Sequence, residues 1–154
     1  MSSGNGDQTD PQEPPDQANT QVPELVEMLF GENAAAAWAT AGERMQRWAA
    51  TFADWRHQRR GTRAKTGVIT DKLAWREFLG LVKKAPWEVD WWDVQAYVDH
   101  SLEKGMSPGT VSGRLTSLSM FYEYVEDKEL EHHTQARDEG GFNPVKEIER
   151  PKPN

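Results

Sequence analysis

The sequence predicts an all-α protein: a compact bundle of four to five helices, with an extra N-terminal amphipathic helix and a disordered N-terminal tail. Two observations support this. Apolar residues recur at steps of three and four through most of the chain after residue 22, which is the spacing of one helix face. No segment alternates apolar and polar residues for long enough to predict a strand, and no repeat occurs at a period of about 20–50 residues.

The first residues predict a tail rather than an element. Residues 1–21 are rich in Gly, Asn, Asp, Gln, Pro and Ser and hold almost nothing apolar. Such a composition cannot bury enough surface to offset the entropy lost on ordering. We therefore expect a disordered acidic tail, followed by a short amphipathic helix over 24–30 that Gly31 ends.

A second helix is predicted from Asn33, a candidate cap, to near Gly61. Its apolar residues are spaced for a single face and include three tryptophans: Trp38, Met45, Trp48, Phe52 and Trp55. Aromatic side chains are usually buried, so this stripe predicts either core or a docking face for a partner rather than a ligand cage.

A basic connector then leads into a third predicted helix, which either Thr62 or Thr66 could cap. Pro86 stops this helix. The predicted apolar face is formed by Val68, Trp75, Phe78, Leu79 and Val82.

The fourth predicted helix begins at Asp90, with Asp93 placed to complete a capping box, and Gly105 ends it. The cap explains this pair of carboxylates without invoking acid–base catalysis. We expect Trp87, Trp91 and Trp92 to pack beneath the loop at the helix entry. The predicted buried face consists of Val94, Tyr97, Val98 and Leu102.

The last predicted helix starts with Ser107 as cap and Pro108 in the first turn. It carries an apolar stripe, formed by Val111, Leu115, Leu118, Tyr122 and Val125. A polar stripe lies beside it, formed by Ser107, Thr110, Arg114 and Ser117. Short hydroxyl side chains around an arginine at a helix start suit phosphate oxygens and base edges, although a polar stripe is also what a solvated face looks like.

Charge is segregated along the 154-residue chain, whose net charge is −7. Residues 1–43 contain eight acids and no Lys or Arg, and residues 85–154 carry −7. Between them, residues 44–84 contain eleven Lys or Arg and three acids, a charge of +8. A basic block of this kind is typical of an electrostatic footprint for a polyanion, provided that the fold gathers the charges on one face.

Other function classes find little support. The chain has no Cys, which excludes disulfides and thiolate metal sites and fits a reducing cytoplasm. No secretory signal and no run of about 18 apolar residues is present, so we expect a cytoplasmic protein without a membrane partner. His132 and His133 are adjacent and lack the spacing of helical metal ligands, so neither a metal site nor a cofactor is predicted.

The order of the motifs resembles the core-binding domain of tyrosine recombinases, the phage-integrase family, whose fold is SAM-like. The segment Ser107–Val125 resembles the last long helix of that domain, and Trp92–Val98 resembles its Asp-Val-x-x-Tyr-Leu helix. Residues 143–145, Asn-Pro-Val, resemble the exit toward the catalytic domain. The acidic stretch at 126–142 is longer than the turn that the family usually has there, and we expect an exposed loop.

The resemblance covers about residues 62–154. Together with the composition of the tail and the periodicity of residues 22–61, it divides the chain into three predicted segments: a tail at 1–21, an N-terminal helical extension at 22–61, and the core-binding domain with its exit linker at 62–154. It also implies a catalytic domain that this chain does not contain. The three tyrosines, Tyr97, Tyr122 and Tyr124, all fall within predicted helices, so no nucleophile is assigned and the chain is not predicted to be an enzyme.

We therefore predict a module that grips double-stranded DNA at a recombination half-site, together with further recombinase protomers and without a small-molecule substrate. The predicted phosphate contacts are Arg59, Arg60, Arg63, Lys65 and Lys72, and the predicted groove residues are Ser107, Thr110, Arg114 and Ser117. The alternative is a helical protein-interaction or self-association module that uses the Trp-rich helix over 33–60.

Overall fold

The structure is a computed structural model that describes residues 21–62, 65–128, 143–146 and 148–151, with only the backbone described at 62 and 65. All but one residue of the predicted tail, and most of the predicted loop at 126–142, lie outside these residues. Every regular element within them is helical, which confirms the all-α prediction. The α-helices of this part of the chain are α1 (Glu24–Phe30), α2 (Ala34–Ala39), α3 (Glu43–Thr62), α4 (Lys65–Val82), α5 (Trp91–Glu103) and α6 (Pro108–Asp127).

The predicted helix from Asn33 to Gly61 is two helices, α2 and α3, so this prediction is wrong at residues 40–42. The Thr40 hydroxyl donates to the carbonyls of Ala36 and Ala37, at 3.3 and 3.4 Å, at the end of α2. Gly42 follows, and its carbonyl accepts the hydrogen bond of the Gln46 amide at the start of α3. A hydroxyl bonded to the backbone and a glycine both weaken a helix interior, which is why the chain breaks here.

The core is a cluster of aromatic rings centred on Phe121 of α6. Its ring centroid lies 5.0 Å from Phe52, 5.4 Å from Trp55 and 5.3 Å from Trp75. Trp48 is 5.9 Å away in an edge-on arrangement. Tilted and edge-on rings at these distances add to the free energy gained by burying their area. The Trp stripe of α3 is therefore core, as one of the two sequence interpretations predicted.

This core extends across the predicted boundary at residue 61. Leu25 of α1 and the α3 aromatics belong to the same buried cluster as Val111, Leu115 and Leu118 of α6. The predicted extension at 22–61 and the predicted domain at 62–154 thus share one core and form a single packing unit.

The predicted caps of α5 and α6 are present, whereas those of α2 and α4 are not. Asn33 makes no side-chain cap hydrogen bond at the start of α2, and of the two candidates for α4, Thr62 is the last residue of α3 and Thr66 lies inside α4.

At the start of α5, Asp90 accepts a hydrogen bond from the Asp93 amide, and the Asp93 carboxylate accepts one from the Asp90 amide, so the capping box is present. Ser107 caps α6 through the amide of Thr110. At the other end of α5, Gly105 adopts φ 95°, a conformation that favours glycine and turns the chain toward α6.

Two predictions for α5 are wrong. Leu102, in the last turn of α5, is 37 % exposed and lines an open cleft with Glu149 and Arg150. Trp91 and Trp92 do not pack beneath a loop: they stack on each other at the surface, with centroids 3.9 Å apart, and are 40 % and 65 % exposed. Only Trp87 of this group packs inward, against Trp48 at 5.5 Å.

After the undescribed segment, the chain returns to α6. Asn143 is buried and donates to the carbonyl and the hydroxyl of Ser119, at 3.3 and 2.9 Å. Val145 and Ile148 then join the main core. Arg150 closes the segment onto α6 by donating to the Ser112 carbonyl and to the Thr116 hydroxyl, at 2.6 and 2.8 Å. In the part of the chain described here, no helix combines the length and the hydropathy needed to cross a bilayer.

Candidate nucleic-acid interface

Two of the four predicted groove residues lie exposed at the start of α6. Ser107 and Thr110 are both exposed, and their hydroxyls are 2.8 Å apart. The Ser107 hydroxyl also accepts from the Thr110 amide at 3.2 Å, which fixes the first turn. Pro108 has no N–H and the Val111 amide donates to the Ser107 carbonyl, so the Gly109 amide is the one of this turn that the helix leaves for an anionic group, at its positive dipole end.

Arg114, one turn further along α6, reaches across to α4. Its Nη1 donates to Oε1 of Glu77, and the hydroxyl of Tyr97 on α5 donates to the same oxygen at 3.0 Å. The Arg114 side chain is 13 % exposed and the Glu77 side chain 39 %. The predicted groove residue thus belongs to a three-helix contact, which we call the Glu77 clasp (Glu77, Tyr97 and Arg114).

The clasp perturbs the titration of two of its members. Burial, together with the charge of Glu77 and the hydrogen bond to it, raises the pKa of Tyr97 to about 12. Burial alone would lower the pKa of Arg114, but the hydrogen bond and the charge of Glu77 outweigh this and raise it. Burial first and the Glu77 carboxylate second thus keep Tyr97 protonated, whereas the carboxylate raises the pKa of Arg114 against the effect of burial.

Two predicted DNA contacts lie in the interior instead. Arg59 is 6 % exposed and Ser117 is 3 % exposed, and both bind Asp71 of α4, which is fully buried. Nε of Arg59 lies 2.8 Å from Oδ2 of Asp71, Nη2 lies 3.1 Å from Oδ1, and the Ser117 hydroxyl donates to Oδ1 at 2.7 Å. We call this set the Asp71 network (Arg59, Asp71 and Ser117).

The Asp71 network corrects the prediction that Arg59 contacts phosphate and that Ser117 lies near a groove. A charged side chain enters a core only when paired and hydrogen-bonded, and Asp71 supplies that pairing for Arg59. Reaching DNA would require Arg59 to leave a buried carboxylate. Arg59 and Ser117 do come together, but on a shared interior partner and not on a surface for DNA.

The other predicted phosphate contacts are dispersed. Arg60 is exposed at the end of α3, whereas Lys72 is half-buried on α4. Lys72 lines a cleft of about 280 Å³ with Glu24 and Glu27 of α1. Arg63 lies outside the described residues, and of Lys65 only the backbone is described.

These placements determine how far apart the exposed candidate residues lie. Asp71 contacts Ser117 while Glu77 contacts Arg114, so α4 and α6 run antiparallel. Arg60 lies next to the Arg59 end of this pair, and Thr110 lies beyond the Arg114 end. The rise of 1.5 Å per residue separates Ser117 from Thr110 by roughly 10 Å along α6 alone. The exposed candidates therefore lie toward opposite ends of one helix pair.

Sequence reasoning missed three residues near the start of α6. His100 and Lys104 are exposed and line a cleft of about 280 Å³ together with Glu77 and Tyr97. Arg150 lies on the adjacent flank of α6, against Ser112. Lys104 could have been found from its position directly before the Gly105 turn, but a basic residue at a helix end is ordinarily explained by the dipole. Only the folded chain places Arg150 there.

Among the described residues, no group of three or more His, Cys, Asp or Glu side chains is arranged to hold a metal ion. Comparison of the chain with protein-family models, curated proteins and solved structures gave no match.

Proposed function

We propose that this chain is the DNA-binding module of a site-specific tyrosine recombinase or integrase, which grips one half-site while a separate catalytic domain cuts. The single observation that carries the proposal is the start of α6: an exposed pair of hydroxyls, Ser107 and Thr110, on a capped helix N-terminus, with Arg114 one turn away. The family-like order of motifs, including the confirmed caps at Asp90 and Ser107, supports the same assignment.

In this proposal the two kinds of residue have separate tasks. The hydroxyls of Ser107 and Thr110 and the Gly109 amide bind phosphate and so fix the orientation of α6 on the duplex. Such contacts carry no sequence information. Arg114 supplies the guanidinium that can read a guanine edge. His100 and Lys104, and Arg60 at the other end, add long-range attraction. We further propose that the module acts in the cytoplasm beside other protomers of the recombinase.

The test is a titration of a labelled random-sequence 30-base-pair duplex at two salt concentrations. The wild-type chain should bind with an affinity that falls as salt rises, because bound phosphates release counterions. Lys104→Ala should weaken binding about threefold and reduce the salt slope by about 1, because it removes an exposed cation near the start of α6. Arg47→Ala is the matched control, since it also removes one positive charge, on α3, where Arg47 pairs with exposed Glu43. It should leave both quantities near the wild-type values.

Absence of binding at low salt by the folded wild-type chain would contradict the proposal. So would binding that does not depend on salt, or an equal loss in Lys104→Ala and Arg47→Ala.

A second candidate function is a helical protein-interaction module. The face predicted for it is not available, since Trp48, Phe52 and Trp55 are 0 %, 0 % and 2 % exposed. The stacked and exposed pair Trp91 and Trp92 favours this candidate instead, because large apolar side chains at the surface are typical of contact sites. Light scattering tests this candidate. A rise of the apparent mass with protein concentration that is absent in Trp92→Ala would favour the protein-interaction module over DNA binding.

A further inference from the structure

The two arginine–carboxylate pairs of α4 differ in how readily they can open. Arg59 and Asp71 have side chains that are 8 % and 0 % exposed, so the pair is locked in the core. Glu77 is 39 % exposed and lies at the mouth of a cleft, while its partner Arg114 keeps some access to water. An ion pair in contact with solvent contributes little stability, so exchanging one of its partners costs little.

If Arg114 exchanged Glu77 for another partner, neighbouring groups would still stabilise the charge of the Glu77 carboxylate. His100 and Lys104 line the same cleft as Glu77, and the hydroxyl of Tyr97 donates to Oε1 of Glu77 independently of Arg114. A carboxylate that loses the guanidinium therefore keeps a hydrogen bond and nearby positive charge. Arg114, in contrast, has no alternative carboxylate among the ion pairs of the described residues.

We infer that Glu77 weakens the non-specific binding of DNA by competing with phosphate for Arg114. This inference rests on the proposed function. While Glu77 holds Arg114, a phosphate that reaches this arginine only replaces one anionic partner by another, so the net gain in binding free energy is small. Removing the charge of Glu77 should therefore restore the contribution of Arg114 to the binding of random-sequence DNA.

The test measures binding to the random-sequence duplex as the salt concentration is varied. Glu77→Gln should bind this duplex about 5- to 10-fold more tightly than the wild type and with a salt slope steeper by about 0.9, because Arg114 becomes free to contact one more phosphate. Glu43→Gln is the matched control: it also adds one positive charge to the net charge and also frees an exposed arginine, Arg47. It should not reproduce the gain.

The decisive variant is the double substitution Glu77→Gln with Arg114→Ala. It should bind no more tightly than Arg114→Ala alone, since the gain requires Arg114. A gain that persists without Arg114, or that Glu43→Gln matches, would overturn the inference as a general effect of charge. Should Glu77→Gln lack a helical circular dichroism signal, Glu77→Ala takes its place with the same expected outcome.

Failure of the inference is distinct from failure of the proposed function. A wild-type chain that binds the duplex in a salt-dependent way, together with an unchanged Glu77→Gln, rejects only the competition by Glu77. A folded wild-type chain and a folded Glu77→Gln that both fail to bind at low salt reject the proposed function, and the inference with it.

Discussion

Several charged side chains of this chain form buried or half-buried ion pairs that stabilise the fold. Arg59 and Asp71 are bidentate partners inside the core, and Ser117 satisfies a further lone pair of the carboxylate. Arg56 makes a comparable contact, with Nε 2.8 Å from Glu24 and Nη1 3.0 Å from the Val68 carbonyl. Part of the positive charge of residues 44–84 therefore lies in ion pairs that connect α1, α3 and α4.

Asp71→Ala should lower the free energy of unfolding by about 3–5 kcal/mol, because it leaves Arg59 charged, buried and unpaired. Ser117→Ala should cost only about 1 kcal/mol, since the ion pair survives. Urea denaturation measures both. Glu43→Ala serves as the control, because Glu43 is 86 % exposed beside Arg47, and it should change stability by less than about 0.5 kcal/mol. Equal effects of Asp71→Ala and Glu43→Ala would show that the network contributes nothing.

The site was predictable only in part, and the reason lies at this scale. Spacing along a helix shows that Arg114 and Ser117 share a stripe, and it correctly identified Ser107 as the cap. It cannot show which residue of another helix faces that stripe. Here α4 presents Asp71 and Glu77, two carboxylates that bind the arginines predicted for DNA. The distinction between a solvated stripe and a paired one depends on long-range partners.

At the level of elements, the apolar periods predicted α1, α4, α5 and α6 well because their end signals are local. A proline, a glycine with positive φ and a side-chain cap each act within a few residues. The break between α2 and α3 was missed because the apolar spacing continues through residues 40–42. The face carries Met45 and Trp38 into a second cluster with Val26 and Ala49, separate from the main core.

The end of α4 contains an unfavourable residue. Lys83 has φ 54°, a left-handed conformation that side chains with a Cβ rarely adopt, and its amide bonds to the Leu79 carbonyl at 2.9 Å. Lys83→Gly should therefore raise the free energy of unfolding by about 1 kcal/mol. A urea or thermal melt measures the change.

The neighbouring lysine provides the control for that prediction. Lys84→Gly should destabilise the protein, because Nζ of Lys84 lies 2.9 Å from Oδ2 of Asp93 in the capping box of α5. If both glycine variants shift stability in the same direction, backbone strain at residue 83 is not the cause.

On the scale of the whole molecule, one aromatic core joins helices that the sequence assigned to two segments. The prediction of a boundary at residue 61 followed from the extent of a family resemblance, which begins at about residue 62, within the basic connector. Packing follows a different criterion, since α3 and α4 face each other across Phe52 and Trp75, whose centroids are 5.8 Å apart. A resemblance in sequence order therefore does not mark the limits of a packing unit.

The clasp that links α4, α5 and α6 makes the stability of the whole fold sensitive to alkaline pH. Folded Tyr97 keeps its proton up to a pKa of about 12, whereas the ordinary value is 10.0. Between these values the unfolded state binds fewer protons than the folded state, so the free energy of unfolding falls as pH rises. Below pH 10 the full contribution is present.

Tyr97→Phe removes this titration. Its free energy of unfolding should decline less than that of the wild type between pH 10 and 12, by about 2 kcal/mol, while buried Tyr122 contributes to both proteins. Denaturant melts at intervals of half a pH unit measure the difference. Parallel curves for the two proteins would contradict the assignment to Tyr97.

The rings that α3 places around Phe121 also constrain how such a chain can change over evolutionary time. Removing residues 24–62 would strip Trp75 and Phe121 of the neighbours that now exclude water from them. We therefore expect gene fusion or shuffling to transfer α6 to a new protein only together with α1, α2 and α3. The smallest transferable unit should extend from Leu25 to Ile148, both of which belong to the main core.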